Sequence, residues 1–187
     1  MNYQIPVFGK GCIEVSESVA KAYMFARSAH EGQVRKYTGE PYIIHPLEVM
    51  DIVKSVPHTE EMLCAALLHD VVEDCEVNYQ ELSDIFGDEV AIMVNCLSDR
   101  SKPEDGNRVS RKEIDRIWIS VSGPQVKTIK LADLISNSKS ILEHDKDFAK
   151  VYIKEKELLL EVLAEGDPTL YERAKDIVER AKKELGL

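Results

Sequence analysis

The chain lacks any run of about 20 apolar residues able to cross a bilayer. Its N-terminal stretch, MNYQIPVFGKGCIEV, has no basic patch leading into an apolar segment and a small-residue cleavage site, so no secretory signal is expected. The four cysteines, Cys12, Cys64, Cys75 and Cys96, include no CxxC pair. That scatter argues against a zinc knuckle and a disulfide framework and predicts small buried hydrophobes instead. Positive charge is also scarce: 24 lysines and arginines face 34 aspartates and glutamates, a formal charge of −10. A nucleic-acid coat or a binder of anionic membranes needs a basic face to displace counterions, so neither nucleic acid nor a membrane is expected as a partner. An anionic small molecule is not excluded, because it needs only a metal and a few local cations. Arg35, Lys36, Lys127, Lys130 and Lys139 are candidates. Strand signals are nearly absent, and no internal repeat is present.

What remains is helix. The 187 residues, 44% apolar and 31% charged, suffice for one buried core and are too few for two ordinary domains. A single soluble, cytoplasmic, all-α domain over 1–187 is the expectation. Val19, Ala20, Ala22, Tyr23, Ala26 and Ala29 draw one face of a helix from Ser16 to near Gly32. Residues 34–44 read as a loop around Thr38-Gly39-Glu40-Pro41, and Pro46 suits the first turn of the next helix, which Pro57 stops. Thr59 caps a third helix, apolar almost all round from Leu63 to Leu68 and running to about Glu73, so it should be central and its polar end rigidly held. Further helices are expected at 79–86, 89–97, 111–121, 125–142, 147–163 and 168–185. Residues 98–110, SDRSKPEDGNRVS, form a long polar stretch that reads as a mobile loop or lid.

The strongest local signal is LLHDVVED. On a helix His69 and Glu73 share one face and Asp70 and Asp74 the next, so four metal-binding or proton-transferring groups gather at one helix end. A lone His-Asp pair is ordinarily a solvated helix end. Four such groups after so apolar a run read as a site, and carboxylates opposing the helix dipole call for a cation. His45, at the loop-to-helix junction before Pro46, is a second candidate ligand, with an ordinary junction histidine as the alternative. Asp133 lies in the apolar run IKLADLISN. A buried carboxylate must be paired with a lysine or arginine or coordinate a metal, and Asn137 follows one turn on. His45, His69, Asp70 and Asp133 make a mixed nitrogen and oxygen set that suits manganese or a similar divalent ion with open positions, while Glu73 or Asp74 could handle the proton of an attacking water.

An H…HD…D order resembles the HD phosphohydrolase superfamily. The blocks HEGQVRKYTGEPYIIHP, LLHDVVED and IKLADLISN resemble the hydrolase domain of the Rel/SpoT proteins and, with no synthetase segment following, the free-standing small alarmone hydrolases, over about Val19 to Leu163. The resemblance implies an all-α HD-domain bundle, manganese held by His45, His69, Asp70 and Asp133, and Glu73 and Asp74 as the catalytic acidic pair. It implies a nucleotide pocket including Arg35, Lys36 and Asn137, with Tyr152 and Lys156 as further substrate contacts by position. The implied reaction is hydrolysis of guanosine 3′,5′-bis(diphosphate) or its pentaphosphate relative at the 3′ position, releasing pyrophosphate. One position departs from the family pattern: where a basic residue usually follows the third-block aspartate, this chain has Leu134. The alternatives are an HD hydrolase of another phosphorylated nucleotide and an idle nucleotide-binding module. The intact acid pair argues against the latter.

Overall fold

The computed structural model describes residues 3–7 and 11–187. The chain divides into two compact units, Met1–Ser98 and Asp99–Leu187.

The first unit opens with a hairpin that the sequence reading did not include. Strands β1 (Tyr3–Val7) and β2 (Gly11–Val15) pair antiparallel, with Tyr3 opposite Val15 and Ile5 opposite Ile13. Five-residue strands are too short to establish an alternating period, and Pro6 within one of them weakens the signal further. In a two-stranded ribbon every strand is an edge, so a proline is tolerated. Ile5 and Val15 are buried, and β1 packs on two helices, α1 (Glu17–Ala29) and α2 (Ile44–Lys54).

Ser16 caps α1 by accepting from the Val19 amide, and Val19, Ala20, Ala22, Tyr23 and Ala26 form its buried face. Thr59 caps α3 (Glu60–Leu68), whose residues from Met62 to Leu68 are all buried. As its all-round apolarity required, α3 is the hub, packing on α1, α2 and α6 (Asp88–Leu97). Between them lie the four-residue α4 (Val71–Asp74) and α5 (Tyr79–Phe86), the latter capped by Asn78.

The second unit begins with a short 3-10 turn at Pro103–Asp105, followed by α7 (Arg108–Ser120), α8 (Pro124–His144), α9 (Lys146–Leu163) and α10 (Pro168–Leu185). Helices α8, α9 and α10 pack on one another, and α7 packs on α9. The polar stretch expected to run to Ser110 ends at Asn107, and Arg100 and Ser101 near its start are bonded to α7. Asn107 caps α7 by accepting from the Ser110 amide, starting the helix at Arg108. The Asp115 carboxylate accepts from the amides of Arg100 and Ser101, both at 2.9 Å, and from the Ser101 hydroxyl at 3.0 Å. Burial alone would raise the Asp115 pKa, but these donors and Lys112 hold it below the ordinary value.

No helix among the described residues is long and apolar enough to cross a membrane. The cysteines are free, but only Cys64 is fully buried. Cys12 is exposed, against the expectation of four buried hydrophobes, because it lies on the ribbon outside the core.

Gly166, between α9 and α10, is placed by close approach. A Cβ there would lie 2.8 Å from Leu131 Cδ1 and 3.1 Å from backbone atoms of Lys127 and Thr128. The Asp167 amide meanwhile bonds Thr128 Oγ1 at 2.9 Å, fixing the backbone against α8. Gly166→Ala should therefore cost about 1–3 kcal/mol through overpacking. Urea unfolding checks this, and an unchanged midpoint would refute it.

Candidate active site

Residues 33–42 leave α1 and return as a small hairpin. Val34 bridges Pro41, the Arg35 amide donates to Glu40 O at 2.8 Å, and the Tyr42 amide to Gln33 O at 3.0 Å. Gly39 closes the tip with a φ of +71°, where a side chain would be strained. Arg35, half-buried, and Lys36, exposed with its ammonium 4.8 Å from the Tyr37 ring centre, are carried on this hairpin. Its return leads directly into α2, so His45 sits in the first turn of that helix, 1% exposed.

His69 ends α3 and is 2% exposed. Its Nδ1 lies 2.9 Å from Ala66 O. A carbonyl only accepts, so Nδ1 carries the hydrogen and Nε2 the lone pair that can bind a metal. His69 Nε2 is 3.1 Å and His45 Nε2 3.6 Å from Asp70 Oδ2. One donor atom from each of the three residues falls within 4.8 Å of the others. An ion with bonds of about 2.0–2.2 Å places neighbouring ligands roughly 2.8–3.6 Å apart, from octahedral to tetrahedral angles. Two imidazole nitrogens and a carboxylate oxygen at these spacings fit a divalent cation.

The helix does not run on to Glu73. It ends at Leu68, His69 and Asp70 form a turn, and α4 begins at Val71. Adjacent residues of a regular helix diverge by about 100°, whereas at this turn the side chains of His69 and Asp70 converge on one point.

Glu73 and Asp74 lie on α4, both exposed. The Asp74 carboxyl is held above its usual range by partial burial and then by the Asp70 charge, with Tyr42 and His30 opposing. Tyr42, His30 and Gln33 were not among the expected site residues. Tyr42 donates its hydroxyl to Asp70 Oδ2 at 2.7 Å, and its ring centre is 4.6 Å from that of His30. Their only trace in the sequence is membership of the block HEGQVRKYTGEPYIIHP.

The remaining candidates belong to the second unit. Asp133, 7% exposed on α8, accepts from Asn137 Nδ2 at 2.6 Å and pairs with Lys130 Nζ at 3.2 Å. Tyr152 on α9 is buried, its hydroxyl 3.5 Å from Ser138 Oγ. The Lys156 ammonium lies 4.8 Å from the Tyr152 ring centre. Its pKa is pushed down to about 8, by burial first and then by Lys130. Leu134 is 1% exposed, so the residue that departs from the family pattern is a core residue here. Lys127 is buried and paired with Glu165, which makes it a structural lysine instead of a ligand-binding one.

Residues 22–164 match the family model described as HD domain, and the chain belongs to that family. A metazoan ortholog of SpoT, described as hydrolysing ppGpp and acting in starvation responses, shares the fold with a TM-score of 0.80 at 25% identity, over 89% of this chain and 96% of that one. The guanosine-3′,5′-bis(diphosphate) 3′-pyrophosphohydrolase of Vibrio cholerae is 40% identical over 67% of this chain and 18% of its own length. The protein of the same name from Aquifex aeolicus is 34% identical over 75% of this chain and 20% of its own. The chain thus spans about a fifth of the length of these curated relatives.

Proposed function

We propose that the chain is a metal-dependent phosphohydrolase that converts guanosine 3′,5′-bis(diphosphate) to GDP and pyrophosphate, and the pentaphosphate relative to GTP. The observation that carries this reading is the convergence of His45, His69 and Asp70, with Asp74 one helical turn beyond, in an HD-domain chain whose relatives bear that activity in their names. The proposed metal is manganese, with Asp133 as fourth ligand, its present partner Lys130 being displaced. A hydrolase domain over 1–187, in the cytoplasm, is part of the reading. The family match supports an HD domain over residues 22–164 of it.

A divalent cation at such a site supplies positive charge for a diphosphate and acidifies a water molecule. The chain's own residues do the rest. Arg35 and Lys36 bind the anionic nucleotide, with Asn137, Tyr152 and Lys156 as further contacts. Glu73 and Asp74 orient the attacking water and take its proton. The bond between the 3′ oxygen and phosphorus breaks, that oxygen gains a proton, and pyrophosphate leaves. Leu134 favours a second reading, another phosphorylated nucleotide as substrate, since it removes a charge the family pattern usually has. Purified protein with Mn2+ should be offered guanosine 3′,5′-bis(diphosphate) beside a panel of nucleotides, with products identified. A metal-loaded, active enzyme with higher kcat/KM for another nucleotide sinks the alarmone reading and leaves the hydrolase reading standing.

Lys156 adds a pH signature. Below about 8 it is charged and attracts phosphate; above that it is neutral. A bound diphosphate raises its pKa back toward the ordinary value of about 10.4, so binding in that window takes up a proton. KM should climb as the pH passes about 8, and Lys156→Met should flatten the profile. A wild-type profile with no rise there would remove Lys156 from the pocket.

A further inference from the structure

Four side chains surround the base of the 33–42 hairpin. Gln33 Nε2 donates to Asp74 O at 2.9 Å, and Gln33 Oε1 lies 2.8 Å from His30 Nδ1. Because the amide nitrogen is committed to a carbonyl, the oxygen faces His30, and Nδ1 carries the hydrogen. Cys75 Sγ sits 3.4 Å from the same nitrogen. His30, 3% exposed, is thereby fixed in orientation, and its ring lies against that of Tyr42 at an interplanar angle of 33°. Tyr42 also meets His45, ring centres 6.0 Å apart at 75°. Tyr42 thus contacts two imidazoles, and its hydroxyl reaches Asp70 Oδ2 at 2.7 Å. That oxygen is the one His45 and His69 approach.

We propose that Tyr42 is a positioning residue of the metal centre: its hydroxyl holds the Asp70 carboxylate in the rotation that brings Oδ2 to His45 and His69, and the His30–Gln33 clamp holds Tyr42. The inference rests on the reading of those three residues as metal ligands. A carboxylate turns easily about its Cβ–Cγ bond, and a short O–H···O bond to an ionised oxygen is among the stronger restraints available to it. The donor also withdraws charge from that oxygen, tuning its strength as a ligand. Outer partners of this kind typically change metal affinity by about 10–100-fold. The clamp has a second consequence. Through Gln33, the hairpin bearing Arg35 and Lys36 is fastened to the backbone of Asp74, so the orientation of Asp70 and the placement of the cationic hairpin depend on the same few bonds.

The test is Mn2+ binding by calorimetry, together with the visible spectrum of the Co2+ form, for wild type, Tyr42→Phe and Asp70→Ala. Phenylalanine keeps the ring in contact with the two imidazoles and removes only the hydroxyl. Wild type should bind one ion, Asp70→Ala should not, and Tyr42→Phe should bind about 10–100-fold more weakly with shifted Co2+ bands. Absence of metal binding in wild type, or equal binding by Asp70→Ala, overturns the metal-site reading and this inference with it. Binding lost in Asp70→Ala but unchanged in both affinity and spectrum in Tyr42→Phe overturns the inference alone. Should Tyr42→Phe not fold, 3-fluorotyrosine placed at position 42 keeps the packing and sharpens the donor. A changed metal affinity then supports the role of the hydroxyl, and an unchanged one overturns it.

Discussion

Asp74→Asn lowers kcat on guanosine 3′,5′-bis(diphosphate) by at least ~100-fold, the usual scale for a positioned acid or base, while substrate affinity stays the same or improves. Glu73→Gln should behave in the same way. Both residues lie on α4, beyond the turn that carries His69 and Asp70. In the proposed mechanism they act on the water and on its proton, not on the nucleotide. An amide cannot accept that proton. It also removes a negative charge from the neighbourhood of a highly anionic substrate, so electrostatics favour binding by the variant. Single-turnover rates combined with equilibrium binding of the nucleotide separate the two quantities. Weakened binding with kcat intact would falsify the assignment and make the acid pair a binding element.

The second large effect concerns the metal. At a manganese concentration 100-fold above Kd, binding to the folded state alone raises stability by about 2.7 kcal/mol. Wild type should show that increment in thermal unfolding and lose it, with all activity, on chelation. His69→Ala and Asp70→Ala should lack both the increment and the activity. The increment is the sound comparison because His45 and His69 are buried in the core that α2 and α3 share, at 1% and 2% exposed. Replacing them costs packing whatever they bind, so the absolute melting temperature mixes two effects, while the difference with and without metal isolates one. A variant that keeps the full increment would remove its residue from the ligand set. Asp133→Ala, measured in the same way, tests the proposed fourth ligand. Loss of the increment supports coordination, and retention leaves Asp133 as the partner of Lys130 and Asn137.

Much of this chain could be read before any coordinates. The cap at Thr59 starts a helix where its side chain can satisfy an exposed amide, a requirement local to a few residues. The unbroken apolar run from Leu63 to Leu68 required a central helix, because no solvent-facing side remained. The residue types at positions 45, 69 and 70 already named nitrogen and oxygen donors for a divalent ion. What the sequence left undecided depends on the path of the chain. Periodicity carried His69 through Glu73 as one helix, and only the turn at His69–Asp70 aims two adjacent side chains at one point. Asp133 could pair or coordinate on sequence grounds, and in the structure Lys130 and Asn137 are its partners. The 98–110 stretch reads as a loop by composition, and only the structure shows that one carboxylate on the following helix, Asp115, binds the amides of Arg100 and Ser101. Tyr42 bears on Asp70 across 28 positions of sequence, and nothing in its neighbours marks it for that task. Caps and hydrophobic faces are properties of a window of residues. Hydrogen bonds such as these form only once loops have closed and helices have packed, so tertiary structure alone selects them.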